Sequence, residues 1–381
     1  MHQIFKEYDL NCYRSWVEID ASAIQHNLKS IKSNLPDCVD VAPVIKANAY
    51  GHGLDCIAKI LPPDQSLLCV DSLEEALELR RYRTSNEPIL IMGYIPTGSL
   101  QYLDINMIPV VYELDQLKAL AEHRPNHKVH VKVETGLNRQ GVTLSDLANF
   151  VEKIRDLELK ITGAYTHYAN VEDTLDTSFF ELQYDLFQKS LSLFPRSISV
   201  HSCASAAALL HPNQIGNFAR VGISMYGHYS SWQTYLSLRE RGVNCELRPV
   251  LSWKCKIVQV KNVKTGDKIG YGCSHEVLRP GKIAILPIGY YDGYCRMYSG
   301  KSVVLINGRR APVLGRIAMN MCMVDVSHLD GVIAGQTVTL LGEDHSLRIS
   351  AEELAEISQT ITYEVLTRVS KHLPRIIINS E

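Results

Sequence analysis

The chain has 381 residues, enough for about two domains, and 46% of them are hydrophobic against 21% charged, which is typical of a globular protein with a sizeable core. Its formal net charge of −2 gives no basic field that would collect nucleic acid or anionic lipid, so any anion must bind at a local site. No run reaches the roughly 18 apolar residues of a membrane span. Ten scattered cysteines without a C-x-x-C pair, and a start without an apolar signal stretch, favour a cytoplasmic protein without a thiolate metal site.

Short apolar, β-branched runs alternate with helix-like stretches through the first part of the chain. The predicted strands are 41–46, 67–70, 89–93, 108–112, 129–134, 161–167, 198–203 and 219–226. One predicted helix, 71–80, opens with a capping residue and carries acids in its first turn. Because parallel strands need crossover helices, eight such alternations predict an α/β barrel, TIM-like, of eight parallel strands. On periodicity alone, an open doubly wound sheet is the alternative.

The pattern changes near residue 245. Short strand-like runs punctuated by Gly and Pro follow, at 250–260, 282–287, 302–306, 321–326 and 336–341, and then a helix at 350–359 capped by Ser350. We therefore predict an α/β barrel over 14–245 and a second, mainly β C-terminal domain over 246–381. The first 13 or so residues are a candidate to pack on the second domain.

The sharpest local feature is the segment V-I-K-A-N-A-Y-G-H-G around Lys46. A lysine that ends an apolar strand lies at the end of a barrel where loops surround the catalytic groups. A desolvated lysine beside another cation supplies the neutral amine that attacks a carbonyl. The alternative is a surface lysine at a strand end. Small neighbours and two glycines favour the first interpretation, because they leave room for a bound group.

This segment resembles the cofactor-lysine signature of the alanine racemase family, whose members use pyridoxal phosphate on a barrel. Further segments in chain order extend the resemblance from about Arg14 to Arg375. It implies that Lys46 carries pyridoxal phosphate as an imine and that Tyr50 belongs to the cofactor-binding set.

A second matching segment, K-V-E-T-G-L-N-R-Q-G, runs from Lys132 to Gly141. The resemblance implies that Arg139 contacts the phenolic oxygen of the cofactor and the substrate. It also implies that Lys132 is carried as a carbamate, an anion that orients Arg139 through a charge-assisted hydrogen bond. The alternative is that Lys132 pairs with Glu134 or another nearby acid.

Two histidines end predicted strands, His167 and His201, and each on its own is more often structural than catalytic. By resemblance, His167 hydrogen-bonds the catalytic tyrosine, while His201 and Ser205 belong to the cofactor site, with Ser205 on the phosphate. The family usually reads H-x-A-N-S-A here, so Ala204 departs from the common asparagine.

The segment R-V-G-I-S-M-Y-G begins at Arg220 and is similar to the family's R-x-G-[IL]-x-x-Y-G. Backbone amides at a glycine-bearing turn cradle phosphate, which assigns Gly222 and Ile223 to the cofactor. Arg220 is implied to face the pyridine nitrogen. An arginine cannot give up its proton, so it weakens the ring as an electron sink and disfavours transamination.

The resemblance assigns five residues of the second domain. Tyr271 is the second acid/base, opposite Lys46 and contributed by a partner subunit, and Tyr290 lies near the substrate entrance. Met319 offers its backbone N–H to the substrate carboxylate beside Asn320, and Tyr363 contacts the phosphate. Two departures fall in this part of the chain: Asn320 where aspartate is usual, and Ala318 where cysteine or serine is common.

Together these residues predict an isomerase that interconverts L- and D-alanine with pyridoxal phosphate, supplies D-alanine for peptidoglycan, and works as a cytoplasmic homodimer with active sites shared between subunits. Removing a proton on one face and returning it on the other favours two fixed bases, Lys46 and Tyr271. Serine or broader amino-acid use is the first alternative. A barrel-type decarboxylase is opposed by Arg220 and Tyr271, and a non-catalytic pyridoxal phosphate carrier by the whole second domain. No metal, nucleic acid or membrane enters this prediction.

Overall fold

The computed structural model of the chain describes residues 12–172 and 176–380, which divide into two compact units. One unit contains Ala23–Ala49 and Ile57–Arg248. The other contains the described residues up to Ser22, Tyr50–Cys56, and the described residues from Pro249 onward. The predicted domain bounds, 14–245 and 246–381, stay a proposal, and what that prediction says of residues 1–11 lies outside the described residues.

The first unit contains a ring of parallel strands. Six of them pair in sequence order: Leu68–Val70, Ile89–Ile91, Met107–Val111, Lys128–Lys132, Lys160–Tyr165 and Ser199–His201. A further parallel pair joins Asp40–Pro43 to Phe218–Val221. Val44 bridges to Cys69 at one edge of the six strands, and Arg220 N donates to Cys203 O at 3.0 Å at the other. The strands therefore close on themselves, which confirms the predicted parallel barrel over the open sheet.

Helices follow most of these strands. Their bounds are Ala21–Lys32, Leu54–Ile60, Leu73–Tyr82, Leu114–His123, Leu147–Asp156, Ser178–Ser190, Ser205–Leu210 and Trp232–Glu240. The predicted helix 71–80 begins later than expected, because Ser72 is its N-cap and forms a capping box with Glu75. The predicted strand 219–226 ends at Val221, because the chain then turns through Met225 N to Gly222 O and Tyr226 N to Ile223 O hydrogen bonds.

The second unit is built on a mainly antiparallel sheet, as predicted for a mainly β domain. Its strands lie in the order Gln259–Val263, Gly281–Leu286, Cys322–Asp325, Arg309–Leu314, Val303–Ile306, Thr337–Asp344, Leu251–Lys256, Ser15–Asp20 and Arg375–Ile378, with Leu347–Ile349 beside Thr337–Asp344. Only the pairing of Ser15–Asp20 with Arg375–Ile378 is parallel among these. A separate small ribbon pairs Lys268–Ile269 with His275–Glu276.

Two details of this unit differ from the prediction. The run 250–260 forms two strands rather than one. The sheet also contains the strand Ser15–Asp20, which precedes the barrel strands in the sequence. The predicted helix 350–359 is present as Ala351–Ser358 with Ser350 as its N-cap, and Thr362–Thr367 forms another helix. Across residues 12–172 and 176–380, no helix is long and apolar enough to cross a membrane, and no cluster of three or more His, Cys, Asp or Glu is placed to bind a metal ion.

Candidate active site

Lys46 lies just beyond the carboxyl end of the strand Asp40–Pro43, where the chain leaves the barrel in a left-handed turn. The four residues that follow it, 47–50, all have φ of 53° or 54°. An L-residue adopts this region at a cost of about 1–2 kcal/mol. Strained backbone of this kind is often found at functional sites. Nζ of Lys46 is 3.2 Å from Oδ1 of Asp71, which directly follows the next strand of the barrel.

Arg220 is the centre of a buried hydrogen-bond network inside the barrel. Its guanidinium donates to Nδ1 of His201 at 2.8 Å, to Nδ1 of His167 at 3.3 Å, and to the backbone oxygens of Thr166, His201 and Ser202. None of these described partners is an acid. A guanidinium only donates, so its position fits a site in which it also faces a neutral acceptor such as a pyridine nitrogen.

The hydrogen bonds that Arg220 donates determine which ring nitrogen of each histidine partner carries the proton. Because arginine only donates, His201 accepts at Nδ1 and carries its proton on Nε2, which lies 2.9 Å from Nδ1 of His130. Burial, and then Arg220, lowers the pKa of His130 to about 3. Burial, followed by Arg220 and His130, also holds the pKa of His201 well below its usual value. Both rings are therefore neutral at physiological pH.

His167 is a third neutral histidine in this network. Burial is the largest cause of a pKa well below its ordinary value, and Arg220, Arg139, Lys132 and Lys46 add to it. Since Nδ1 accepts from Arg220, the proton of the neutral ring lies on Nε2. The ring can therefore donate one hydrogen bond to an anionic partner.

A group of small polar atoms suited to an anion lies at the turn after the strand Phe218–Val221. Gly222 N and Ser224 N lie 3.1 Å and 3.5 Å from Oγ of Ser205. Oγ of Ser224 is buried, and no hydrogen-bond partner for it occurs in the described part of the chain. A buried polar atom without a partner is rare, and here it leaves a donor to spare for a bound group. The residues therefore fit the phosphate of the expected cofactor.

Lys132 is buried on the strand Lys128–Lys132, on the same side as His130 two residues earlier. Burial, and then Arg139 and Arg220, lowers the pKa of Lys132 to about 8. Glu134, which the sequence offered as its ion-pair partner, receives backbone hydrogen bonds from Gly136 and Arg139. That carboxylate therefore holds the loop from which Arg139 projects.

A cavity of about 180 Å³ is lined by two predicted site residues, Arg139 and His167. Four alanines and four other residues complete its walls: Ala169, Ala204, Ala206, Ala207, Leu137, Tyr168, Val171 and Glu172. Ala204, where the family has asparagine, is thus part of the cavity wall.

In the second unit, Tyr271 lies between two glycines, Gly270 and Gly272, with φ of 79° and 70°. A Cβ on Gly270 would lie 2.9 Å from the backbone nitrogen of Arg316, and one on Gly272 would lie 2.7 Å from its Nη1. Glycine is required at both positions, because the loop runs against Arg316 in a left-handed conformation. Tyr271 itself is 73% exposed.

The loops of Tyr290 and Met319 also lie together in this unit. Tyr290 N donates to Ala318 O at 3.2 Å and Tyr291 N to Met319 O at 3.0 Å. Gly289 permits this approach, since a Cβ there would lie 2.2 Å from Ala318 O. Asn320 follows directly in the chain. The segments of Tyr271 and Tyr290 thus both pack against residues 315–320, the segment that carries Met319 and Asn320.

Tyr50 and Tyr363 form a further pair in the same unit, with ring centroids 6.1 Å apart. The sequence placed both residues on the cofactor, and the structure brings their rings together although more than three hundred residues of chain separate them. Each of the two units therefore assembles its own share of the predicted site residues.

Sequence reasoning missed three side chains that organise these groups, Asp71, Glu75 and His130, and it considered Glu134 only as a partner of Lys132. Two of them carried a usable signal. Asp71 directly follows a barrel strand, at the end where catalytic residues are expected. His130 shares the side of its strand with Lys132, since side chains alternate along a strand.

Comparison with known proteins agrees with this geometry. The family described as "Alanine racemase, N-terminal domain" matches residues 19–230, and "Alanine racemase, C-terminal domain" matches 250–377. An alanine racemase of Leptospira interrogans is 36% identical over 376 residues, covering 96% of each chain. The crystal structure of the Bacillus anthracis alanine racemase with bound L-Ala-P superposes with a TM-score of 0.89 at 33% identity, covering 98% of this chain and 96% of that one.

A histidine racemase from Leuconostoc mesenteroides is also similar in structure, with a TM-score of 0.85 at 28% identity, covering 96% of this chain and 98% of that one. The two matched domains together span most of the sequence, in the order in which its segments resemble the family. The chain therefore belongs to the alanine racemase family, whose members are pyridoxal phosphate-dependent isomerases.

Proposed function

We propose that this chain interconverts L- and D-alanine, with pyridoxal phosphate bound on Lys46. The observation that carries the proposal is the barrel site, where Lys46 stands at a strand end on the same scaffold as the buried Arg220 and its histidines. Family membership and the relatives named alanine racemase support the substrate. We further propose that the product serves peptidoglycan synthesis in the cytoplasm.

The residues proposed to hold the cofactor divide by the part of it that they contact. Ser205 with the backbone of Gly222 and Ile223 binds the phosphate, together with Tyr50 and Tyr363. Arg220, held by His201, faces the ring nitrogen, and Arg139 the phenolic oxygen. When bound, pyridoxal phosphate supplies an electron sink for the charge that develops on the α-carbon of an amino acid.

Two residues are proposed to move the proton. Lys46 serves one face of the α-carbon and Tyr271 the other, so that neither base has to cross the substrate. Exposure of Tyr271 supports its assignment to the active site of a partner subunit in a homodimer. The backbone N–H of Met319, beside Asn320, and the side chain of Arg139 bind the substrate carboxylate, with Tyr290 at the entrance.

His167 is proposed to assist Tyr271. A phenol loses its proton near pH 10 in water, so it acts as a base at neutral pH only with help from its surroundings. The neutral His167 ring, with its proton on Nε2, can donate a hydrogen bond to the phenolate. This hydrogen bond stabilises the charged form of the tyrosine.

Lys132 is proposed to react with carbon dioxide to form a carbamate. The reaction needs a neutral amine, and the lowered pKa of about 8 supplies a substantial neutral fraction near physiological pH. The product carries a negative charge close to Arg139 and Arg220, whose positive charges act on Lys132. That charge would orient Arg139.

Broader substrate use is the second candidate, and the cavity wall favours it. Ala169, Ala204, Ala206 and Ala207 leave space where larger side chains would fill it. A structural relative is named histidine racemase, and this name supports the use of a larger amino acid. Rates on alanine, serine, lysine and histidine would separate the candidates, and absence of alanine turnover would remove the first.

The decisive experiment for the function joins two measurements on the purified holoenzyme. Borohydride reduction followed by peptide mapping should place the trapped pyridoxyl group on Lys46. Chiral chromatography should show L-alanine converted to an equal mixture of enantiomers. A trapped label on another lysine, or alanine that keeps its configuration, contradicts the proposal.

A further inference from the structure

Nζ of Lys46 and the carboxylate of Asp71 form an ion pair at 3.2 Å. Both side chains are partly exposed, at 38% and 55%. Exposed ion pairs contribute about 0–1 kcal/mol to folding stability. The stability of the fold therefore gives little reason for this carboxylate, and its place beside the proposed base gives a chemical one.

The positions of these two side chains are set by a third residue, Glu75. One of its carboxylate oxygens accepts from Ala47 N at 2.6 Å, and the other accepts from Asp71 N at 2.8 Å. One side chain thus holds the backbone that follows Lys46 and the backbone that carries Asp71. Because two strand ends are tied to the same carboxylate, the pairing of Lys46 with Asp71 is built into the backbone.

Gly93 adds a second constraint on Asp71. Its N–H donates to Asp71 O at 2.8 Å. A Cβ on this glycine would lie 2.5 Å from that oxygen and 3.0 Å from Oδ2 of the carboxylate. The end of the neighbouring strand therefore has room for Asp71 only because residue 93 has no side chain.

The charges around Lys46 make this carboxylate significant. Arg220, Arg139 and Lys46 each lower the pKa of His167 after the larger effect of burial, so the two arginines act in the same region as Lys46. Creating a positive charge on Lys46 near these two cations is unfavourable. A carboxylate in contact with Nζ offsets that cost at the atom where the charge forms.

We propose that Asp71 is a positioning residue for racemisation, which directs Nζ of Lys46 and stabilises the positive charge that this nitrogen acquires as it accepts the α-proton. In that step the Cα–H bond breaks, its electron pair stays on the substrate, and the lone pair of Nζ takes the proton. The new ammonium lies against the carboxylate of Asp71. Placing a fixed charge where charge develops is a general source of catalysis. The inference rests on the proposed role of Lys46 as a base.

The test compares Asp71→Asn with Asp115→Asn, which removes an exposed acid paired with Lys118 at 3.1 Å on a barrel helix. The two enantiomers of alanine are equally stable, so kcat/KM must fall by the same factor in both directions, which we expect to be about tenfold. The deuterium isotope effect of α-deuterated alanine should rise for one enantiomer alone, the one whose α-proton faces Lys46. Asp71→Glu should recover part of the rate.

A second readout needs no turnover. In the cofactor-free protein, acetylation of Lys46 by acetic anhydride should be up to about fivefold faster in Asp71→Asn, because the amine loses its ionic partner. Lys118 in the same sample is the internal reference. If the amide variant aggregates, Asp71→Ser repeats both measurements with a smaller polar side chain.

The outcomes separate this inference from the proposed function. Unchanged isotope effects with unchanged acetylation overturn the role of Asp71, and so does an isotope effect that rises equally for both enantiomers, which indicates a general defect. If borohydride labels no Lys46 in the unmodified protein, the proposed function of that lysine fails instead.

Discussion

The two units differ in how they hold several of their predicted site residues. In the barrel, Arg220, His201 and Lys132 are 3%, 0% and 3% exposed and are oriented by contacts within one chain. In the second unit, Tyr271 and Met319 are 73% and 53% exposed, and the tight backbone of their loops is what fixes them. The exposure of Tyr271 and Met319 supports the proposal that a partner subunit completes the site.

The largest expected effect on activity is that of substituting Tyr271, an exposed residue of the second unit. Tyr271→Phe should lower kcat by at least about a hundredfold, the usual contribution of a general acid or base. The melting temperature and borohydride labelling of Lys46 should not change, because the substitution removes only one oxygen atom from a residue that packs little against its own chain. Tyr102→Phe, at another exposed tyrosine, is the control. Full activity in Tyr271→Phe would contradict the proposed role of this tyrosine as the second acid/base.

The burial of Lys132 in the barrel predicts that the unfolding free energy depends on pH. The folded chain lowers the pKa of Lys132 from 10.5 to about 8, so between these values the unfolded chain binds more protons. The unfolding free energy should therefore rise with pH from about 8 to 10.5, by up to about 3 kcal/mol, for protein kept free of carbon dioxide. Below pH 8 this contribution is constant.

Denaturant titrations of the unmodified protein and of Lys132→Met measure that rise as a difference, since other groups titrate in the same range. Bicarbonate should stabilise the unmodified protein and leave Lys132→Met unaffected. A difference that stays flat from pH 8 to 10.5 would contradict the burial of a lysine with a lowered pKa.

A smaller effect tests the packing behind Arg220. A Cβ on Gly163 would lie 2.5 Å from Cε1 and Nε2 of His130. Gly163→Ala should therefore cost about 1–3 kcal/mol of unfolding free energy, as overpacking in a core does. Gly98→Ala, where a Cβ meets nothing within 4 Å, is the matched control. Equal stabilities of the two variants would show that the ring of His130 moves freely.

The smallest effect is expected at Met319. The proposed contact with the substrate is its backbone N–H, which Met319→Leu retains. KM for alanine should stay within about twofold of the original value, because no interaction with the substrate is removed. Met321→Leu, at a neighbouring exposed methionine, is the control. A large rise in KM for Met319→Leu alone would assign the contact to the side chain.

Local sequence patterns predicted the barrel well, because each of its strands is a short apolar run and most of them pair with a strand close in sequence. They missed Ser15–Asp20, which pairs with strands more than two hundred residues away. Such a pairing depends on tertiary contacts that periodicity does not report. The strands of the second domain were found, but the run 250–260 hid a break between Lys256 and Gln259.

The candidate site shows a similar division. Lys46, Arg139 and Arg220 were predicted from their segments, whose residues lie together in the chain. Asp71 was interpreted as part of a helix start, because Asp and Ser are both good caps and stand side by side. Only the fold shows that Ser72 takes the cap and that Asp71 turns to Lys46.

In the proposed dimer, an amine from one chain and a phenol from the other act on the same carbon. Mixing the inactive variants Lys46→Ala and Tyr271→Phe under conditions that allow subunit exchange tests it directly. In half of the dimers one of the two sites would be intact, so up to about a quarter of the original activity should return. If both groups came from one chain, every site would keep one defect, and the mixture would stay inactive.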